Sequence, residues 1–190
     1  ILKPPFYNYK ADAAVNFGGI GAVIGHEISH GFDDSGADYD GDGNLKNWWT
    51  EDDAKKFDAA GQALADQYSA YEPFPSIHVN GKFTLGENIG DLGGINTAYT
   101  ALQLYLKDHS EPQQIDGFTQ DQRFFMSWST IWRTKIKDEA LKNQVKTDPH
   151  SPGYYRAIGP LGNVDAFYKA FNVKKGDKMY KEPAKRIIIW

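Results

Sequence analysis

The pattern of apolar and polar positions predicts five helices. The segment FGGIGAVIGHEISHGF at 17–32 is apolar and rich in glycine. Glycine weakens a helix by about 1 kcal/mol relative to alanine, so this segment needs close packing against a neighbour to be helical. Thr50, followed by Asp53, resembles a capping box and starts a helix that prolines at 73 and 75 end. The other predicted helices span 86–107, 119–134 and 163–172.

The remaining segments favour loops and extended structure. Residues 1–16 open with a double proline, which disfavours helix, and residues 33–49 form an acidic loop rich in turn residues. The C-terminal Arg186–Trp190 (RIIIW) is apolar and is predicted to be extended. Together these patterns predict a mainly helical α+β fold with a few strands at its ends.

Composition narrows the possible classes of protein. With 190 residues, 41% hydrophobic and 24% charged, the chain is predicted to be one compact globular domain, or at most one domain and a small lobe. No apolar run approaches the ~20 residues of a membrane span, and no leader-like segment opens the chain. The chain has no cysteine, which excludes disulfides and thiolate ligands. A net charge of −4, with only one aromatic residue (Tyr180) among the basic residues near Lys174–Arg186, argues against nucleic-acid binding.

The motif with the clearest chemistry is H-E-x-x-H, formed by His26, Glu27 and His30. In a helix, positions i and i+4 share a face, so both imidazoles can bind one zinc ion. Glu27 lies beside them, where it can act on a water molecule rather than on the metal. Because the motif is short, two helix histidines with ordinary partners remain the alternative at this point.

A hydrolytic zinc site needs a third protein ligand. A compact three-histidine arrangement would place glycine at 33 and histidine at 36, but the chain has Asp33 and Gly36. A glutamate from a later helix fits better, and Glu87 in GENIGD is the candidate. Asp91 follows Glu87 at i+4 and can accept a hydrogen bond from a zinc-binding histidine. The alternative is an acidic residue that merely stabilises a helix N-terminus.

A second cation site is considered and rejected. The segment Asp38–Asn44 begins like a calcium loop, but the twelfth position, where a bidentate glutamate belongs, is Trp49. A tight acidic turn is therefore the preferred interpretation.

Four sequence blocks, VIGHEISHGFDDSG, WWT, GENIGDLGG and TDPHSPGYYR, resemble the neprilysin, endothelin-converting enzyme and oligopeptidase O family of zinc endopeptidases in order and spacing. The resemblance implies a thermolysin-like zincin subdomain, with an H-E-x-x-H helix and a later glutamate-bearing helix. It also implies that residues 1–190 are the C-terminal part of a longer catalytic domain. The helical lobe that covers the site, and an upstream substrate-binding strand, would then lie outside this chain.

The resemblance also assigns roles to residues. It implies one Zn²⁺ per chain held by His26, His30 and Glu87, with Glu27 as the general base and acid. Asp91 and Asp33 would orient His26 and His30, and Asp91 is counted with the catalytic groups. In TDPHSPGYYR, the resemblance implies that His150 stabilises the oxyanion, Asp148 orients His150, and Arg156 binds a substrate carbonyl on the leaving-amine side.

Substrate specificity follows from the same resemblance. Five apolar positions match the family's specificity pocket, which suits cleavage on the amino side of hydrophobic residues: Ile1, Phe6, Ala22, Val23 and Trp132. These residues would otherwise be ordinary core. Oligopeptides are the implied substrates, and the implied location is exported: periplasmic, extracellular or membrane-anchored. The absence of cysteine, where vertebrate members carry one near the C-terminus, favours a bacterial source.

Two other functional classes remain open. A peptide-binding module without catalysis would have no need of Glu27. A protein that uses zinc only for structure would close the metal's coordination with four protein ligands.

Overall fold

The computed structural model describes all residues, 1–190, and the fold is mainly helical. The α-helices, in chain order, are α1 (Ala13–Asn16), α2 (Ala22–Ser29), α3 (Glu51–Ser69), α4 (Leu85–Asp108), α5 (Gln120–Ile131), α6 (Asp138–Thr147), α7 (Gly153–Ile158) and α8 (Asp165–Phe171). No helix combines the length and apolar character needed to cross a bilayer.

The predicted helix at 17–32 is helical throughout, but it is not uniform. A π-helical turn (Phe17–Gly21) joins α1 to α2, and a 3₁₀ turn (His30–Phe32) ends the run. Its start also corrects the extended prediction for 1–16, because Asp12 caps α1 by accepting a hydrogen bond from the Val15 amide.

The other four predicted helices exist with shifted ends. The segments 50–71, 86–107 and 119–134 correspond to α3, α4 and α5, and 163–172 corresponds to α8 preceded by a 3₁₀ turn. Thr50 caps α3 as predicted, accepting a hydrogen bond from the Asp53 amide. The sequence reading missed α6, which is short and largely exposed, and α7, which follows a Ser-Pro-Gly sequence that resembles a loop.

The strand prediction was wrong in its location. The chain ends contain no strand, and Arg186–Trp190 lies along the surface without strand pairing. Instead, a two-residue hairpin pairs Gln114–Ile115 (β1) with Phe118–Thr119 (β2) in antiparallel register. Asp116 and Gly117, at φ 53° and 80°, form its turn, and an Asp-Gly pair tolerates these positive φ angles well.

Helix α4 organises the core because it lies in both hydrophobic clusters. One cluster surrounds Trp128, Phe124 and Ile95 and joins α4 to α2 and α5. The second contains Phe57, Leu64, Tyr68, Val79 and Ile89 and joins the first turns of α4 to α3. The segment GENIGD therefore sits on a helix that is packed on both sides, facing the H-E-x-x-H helix.

Helices α2 and α4 approach closely through glycines, which supplies the packing that the glycine-rich segment required. A Cβ built on Gly25 would lie 2.9 Å from the Gly94 Cα atom. A Cβ on Gly94 would lie 2.4 Å from the Ala22 carbonyl oxygen and 2.6 Å from the His26 amide nitrogen. Real Cβ atoms do not approach backbone this closely, so these positions set the distance between the two helices.

We expect Gly94→Ala to lower the free energy of unfolding by about 1–3 kcal/mol, the usual cost of overpacking a core. Gly61→Ala in α3 is the matched control, because its Cβ would meet the Leu85 Cδ2 atom at an ordinary 3.5 Å. The control is expected to be neutral or to stabilise by up to about 1 kcal/mol, since alanine is the better helix former. Urea unfolding measures both, and equal stabilities for the two variants would contradict the packing described.

Candidate metal centre

The second turn of α2, the 3₁₀ turn that follows it and the first turn of α4 bring three ligand side chains together. The His26 Nε2 atom lies 3.2 Å from Glu87 Oε2, and the His30 Nε2 atom lies 3.6 Å from Glu87 Oε1. The candidate ligand atoms of the three residues all lie within 4.8 Å of one another, and His150 is not part of this group. Helical spacing explains the pair of imidazoles, and the packing of α2 on α4 supplies the carboxylate.

The three side chains fit a zinc ion. Ligands about 2.0–2.2 Å from a tetrahedral zinc lie about 3.3–3.5 Å from one another, and the two distances to Glu87 bracket that range. The Glu87 Oε2 atom is buried and accepts no well-aligned hydrogen bond. The His26 and His150 Nε2 atoms each lie 3.2 Å from this oxygen. A bound cation would satisfy the buried carboxylate better than these poorly aligned contacts do. Two imidazoles and one carboxylate are also the ligand set of known hydrolytic zinc sites.

Each candidate zinc-binding histidine has a carboxylate on its other ring nitrogen. The His26 Nδ1 atom lies 2.9 Å from Asp91 Oδ1, and the His30 Nδ1 atom lies 2.7 Å from Asp33 Oδ2. Asp33 is itself held by the amides of Ser35 and Gly36, which donate to its Oδ1. Such partners fix the ring orientation and leave Nε2 facing the centre of the site.

The contact between His26 and Asp91 depends on Gly90. A Cβ on Gly90 would lie 2.8 Å from the His26 Nδ1 atom, so a larger residue would displace the ring. Burial alone would lower the pKa of His26, but the carboxylates of Asp91 and Glu87 outweigh burial and raise that pKa to about 9. The imidazole thus lies in a strongly anionic environment, which also favours a metal cation.

Glu87 and Asp91 of α4 are both carboxylates despite their burial. Burial favours the neutral form of Glu87, but His26, His150 and Arg156 lower its pKa below the ordinary value. The pKa of Asp91 is likewise lowered against its complete burial, chiefly by the charge and hydrogen bonds of Arg156. Glu87 is therefore already the carboxylate that metal binding requires, whereas His26 must release a proton when a metal binds.

Arg156 is more deeply integrated than its predicted substrate role suggests. Its Nε and Nη2 atoms donate to the two oxygens of Asp91 at 2.8 and 2.7 Å, and its guanidinium stacks on Trp132 at 3.9 Å. The side chain is only 8% exposed. Its Nη1 atom makes no hydrogen bond within the protein, and Arg156 lines a cavity together with Trp132 and His150.

His150 lies on a loop that is tied to α4. Its Nδ1 atom lies 2.7 Å from Asp148 Oδ1, and its Nε2 atom lies 3.2 Å from Glu87 Oε2. The neighbouring Ser151 donates a hydrogen bond of 2.9 Å to Asn88, and both residues are fully buried. The sequence analysis assigned no role to Asn88 or Ser151. The available signal was Asn88, a polar residue directly after Glu87 in a helix predicted to pack against its neighbours.

Glu27 and the predicted pocket residues differ in how far they are exposed to solvent. Glu27 is exposed, one position past His26, and its carboxylate makes no hydrogen bond or ion pair with the protein. Trp132 lies beside Arg156 as described. Ala22 is fully buried in the core, and its place in the pocket stays a prediction.

The other three predicted pocket residues are peripheral or partly buried. Ile1 is 67% exposed at the chain terminus, whereas Phe6 and Val23 are half-buried and pack against the main core cluster.

The calcium-like segment Asp38–Asn44 forms a tight turn, which was the preferred interpretation. Asp40 accepts hydrogen bonds from the Asp42 and Asn44 amides and from the Asn44 side chain.

Comparisons with known proteins agree with this geometry. Residues 1–187 match the model of peptidase family M13. The chain is 43% identical to neprilysin-11 of Caenorhabditis elegans and 41% identical to neprilysin of Homo sapiens, each over 194 aligned residues. These alignments cover all of this chain but 23% and 26% of the two relatives, so the chain spans about a quarter of their length.

Solved structures show the same fold. A zinc metalloprotease of Mycobacterium tuberculosis in complex with an inhibitor superposes with a TM-score of 0.96 at 52% identity, covering all of this chain and 30% of that one. PepO of Lactobacillus rhamnosis superposes with a TM-score of 0.87 at 40% identity, covering all of this chain and 28% of that one. The chain belongs to peptidase family M13.

Proposed function

We propose that this chain forms the zinc-binding part of an endopeptidase that hydrolyses internal bonds of oligopeptides. The observation that carries the proposal is the convergence of His26, His30 and Glu87 beside an exposed, unpartnered Glu27. The relatives named neprilysin, and a structural neighbour titled a zinc metalloprotease, support the same activity. Export from the cytoplasm stays a prediction.

The proposed mechanism divides the chemistry among residues of α2, α4 and the loop before α7. When bound, zinc would polarise the scissile carbonyl and make a water molecule more acidic. Glu27 accepts the proton of the attacking water and delivers it to the leaving amine. The carboxylate of Glu27 suits this exchange because it is exposed and forms no hydrogen bond or ion pair with the protein.

In this proposal His150 stabilises the negative charge that develops on the carbonyl oxygen. Asp148 holds the Nδ1 side of the His150 ring, and the Nε2 atom faces the site, where its N–H would donate to that oxygen. Asp148 has a lowered pKa, because the hydrogen bonds and charge of His150 overcome its partial burial, so it remains an acceptor. Arg156 has Nη1 available for a substrate carbonyl while Asp91 holds the rest of its guanidinium.

The two alternative functions, a structural zinc site and a peptide-binding module without catalysis, have less support in the structure. A purely structural zinc would need a fourth protein ligand, and His150 falls outside the group of mutually close ligand atoms. A binding module would leave the exposed Glu27 without a purpose. The preference for hydrophobic residues after the scissile bond remains a prediction, with Trp132 as the predicted pocket residue that lies beside Arg156.

The proposed activity is tested with the zinc-loaded chain and a fluorogenic oligopeptide. We expect hydrolysis that a chelator abolishes and added zinc restores. We also expect His150→Phe to lower kcat about 100-fold with little change in KM, because an oxyanion donor acts mainly in the transition state. His78→Phe, at a histidine outside the site, is the control. Hydrolysis that persists without zinc would contradict the proposal, and an unchanged kcat in His150→Phe would contradict the role of that residue.

A further inference from the structure

A cavity of about 620 Å³ adjoins the site and has an uneven distribution of charge. It is lined by Trp132, Lys135, Ile136, Leu141, His150 and Arg156, among others, and none of its lining residues is acidic. Its walls are in part apolar, which suits a peptide side chain. Arg156 and His150 connect this cavity directly to Glu87 and the candidate metal centre.

Lys135 carries the uncompensated charge of this cavity. The positive charge of Arg156 is balanced by Asp91, and His150 is bonded to Asp148. Lys135 is exposed and makes no ion pair or hydrogen bond with the protein. A cation that lines a cavity without a protein partner is available to a ligand carboxylate.

The geometry points to Lys135 as a specificity-determining residue that selects peptides with a carboxylate near the leaving-amine side. This inference rests on the proposed peptidase function, in which Arg156 binds that side of the substrate. The carboxylate is either an acidic side chain or the C-terminus of a short peptide. Both present the same chemistry to Lys135, and matched peptides separate the two sources.

The test compares peptides that differ by one charge. The first pair has Glu or Gln after the hydrophobic residue that follows the scissile bond, with blocked ends. In the second pair, the peptide ends at that residue, which is Gln in both peptides. One peptide has a free C-terminus and the other an amidated one. We expect the parent chain to cleave at least one charged peptide about threefold to fivefold more efficiently, in kcat/KM, than its neutral partner. That ratio is the size of effect expected for a solvent-accessible ion pair, and it should shrink as ionic strength rises.

Lys135→Gln is expected to remove this preference while leaving kcat/KM for the neutral peptides within about twofold. Lys137→Gln is the matched control, because Lys137 is also exposed, has no ion pair and does not line the cavity. A preference that survives in Lys135→Gln, or is lost equally in Lys137→Gln, overturns the inference. A parent chain without charge preference also overturns it.

The proposed function and this inference fail in different ways. If the zinc-loaded parent cleaves neither charged nor neutral peptides, the peptidase function fails and the inference fails with it. If the parent cleaves charged and neutral peptides with equal kcat/KM, the inference alone fails. Binding of the amidated products Phe-Glu-NH2 and Phe-Gln-NH2, measured by calorimetry, provides a second readout for the side-chain carboxylate. If the side chain is the source, the parent should bind Phe-Glu-NH2 more tightly, and Lys135→Gln should bind the two alike.

Discussion

Replacing Asp91 with alanine is expected to lower the free energy of unfolding by about 3–5 kcal/mol, the cost of leaving one partner of a buried ion pair unpaired. Asp91 has no exposed surface, and both of its oxygens accept hydrogen bonds from Arg156. Removing it leaves a guanidinium that is almost fully buried without a counter-charge. It also removes the acceptor for His26 Nδ1, so zinc affinity should fall about 10-fold to 100-fold.

Urea unfolding of the metal-free chain measures the stability change, and zinc titration measures the affinity. Glu139→Ala is the control, since Glu139 forms an exposed ion pair with Lys142 that should contribute no more than about 1 kcal/mol. If Asp91→Ala fails to fold, Asp91→Asn retains the side chain's size while removing its charge. An Asp91 variant that folds as stably as Glu139→Ala would show that the buried pair does not hold the site together.

The second large effect is expected in catalysis rather than in stability. Glu27→Gln should lower kcat by about 10² to 10⁴, the range for loss of a positioned general base and acid. Because Glu27 is exposed and outside the group of ligand atoms, zinc content should be unchanged and stability should shift by no more than about 0.5 kcal/mol.

The Glu27 result separates catalysis from binding. Glu51→Gln, an exposed glutamate at the start of α3, controls for a general effect of removing a helix carboxylate. Full activity in Glu27→Gln would disprove the role assigned to Glu27. Loss of zinc in that variant would instead mean that Glu27 is a ligand, although Glu27 lies outside the group of close ligand atoms.

The parts of the site that sequence could predict are those set by local spacing. His26 and His30 face one side because a helix repeats every 3.6 residues, and the same rule places Glu87 and Asp91 together on α4. Asp33, three residues after His30, also lies within local reach. Capping at Thr50 followed from the residues themselves.

The parts that could not be predicted depend on how distant segments pack. The bond between Arg156 and Asp91 spans 65 residues, and the bond between Ser151 and Asn88 spans 63. Neither has a local signature, so Arg156 was predicted to bind substrate and not to form a buried ion pair. The same limit applies to Ala22, whose small apolar side chain suits a pocket wall and the core equally well until the contact with α4 is known.

The central claim is that His26, His30 and Glu87 assemble one zinc site, and zinc stoichiometry tests it most directly. The account predicts one zinc per folded chain, with affinity greatly weakened in Glu87→Ala and unchanged in the Glu51→Ala control. Circular dichroism establishes that each variant is folded. A folded parent chain that binds no zinc, or a Glu87→Ala variant that binds zinc as tightly as the parent, would contradict the account.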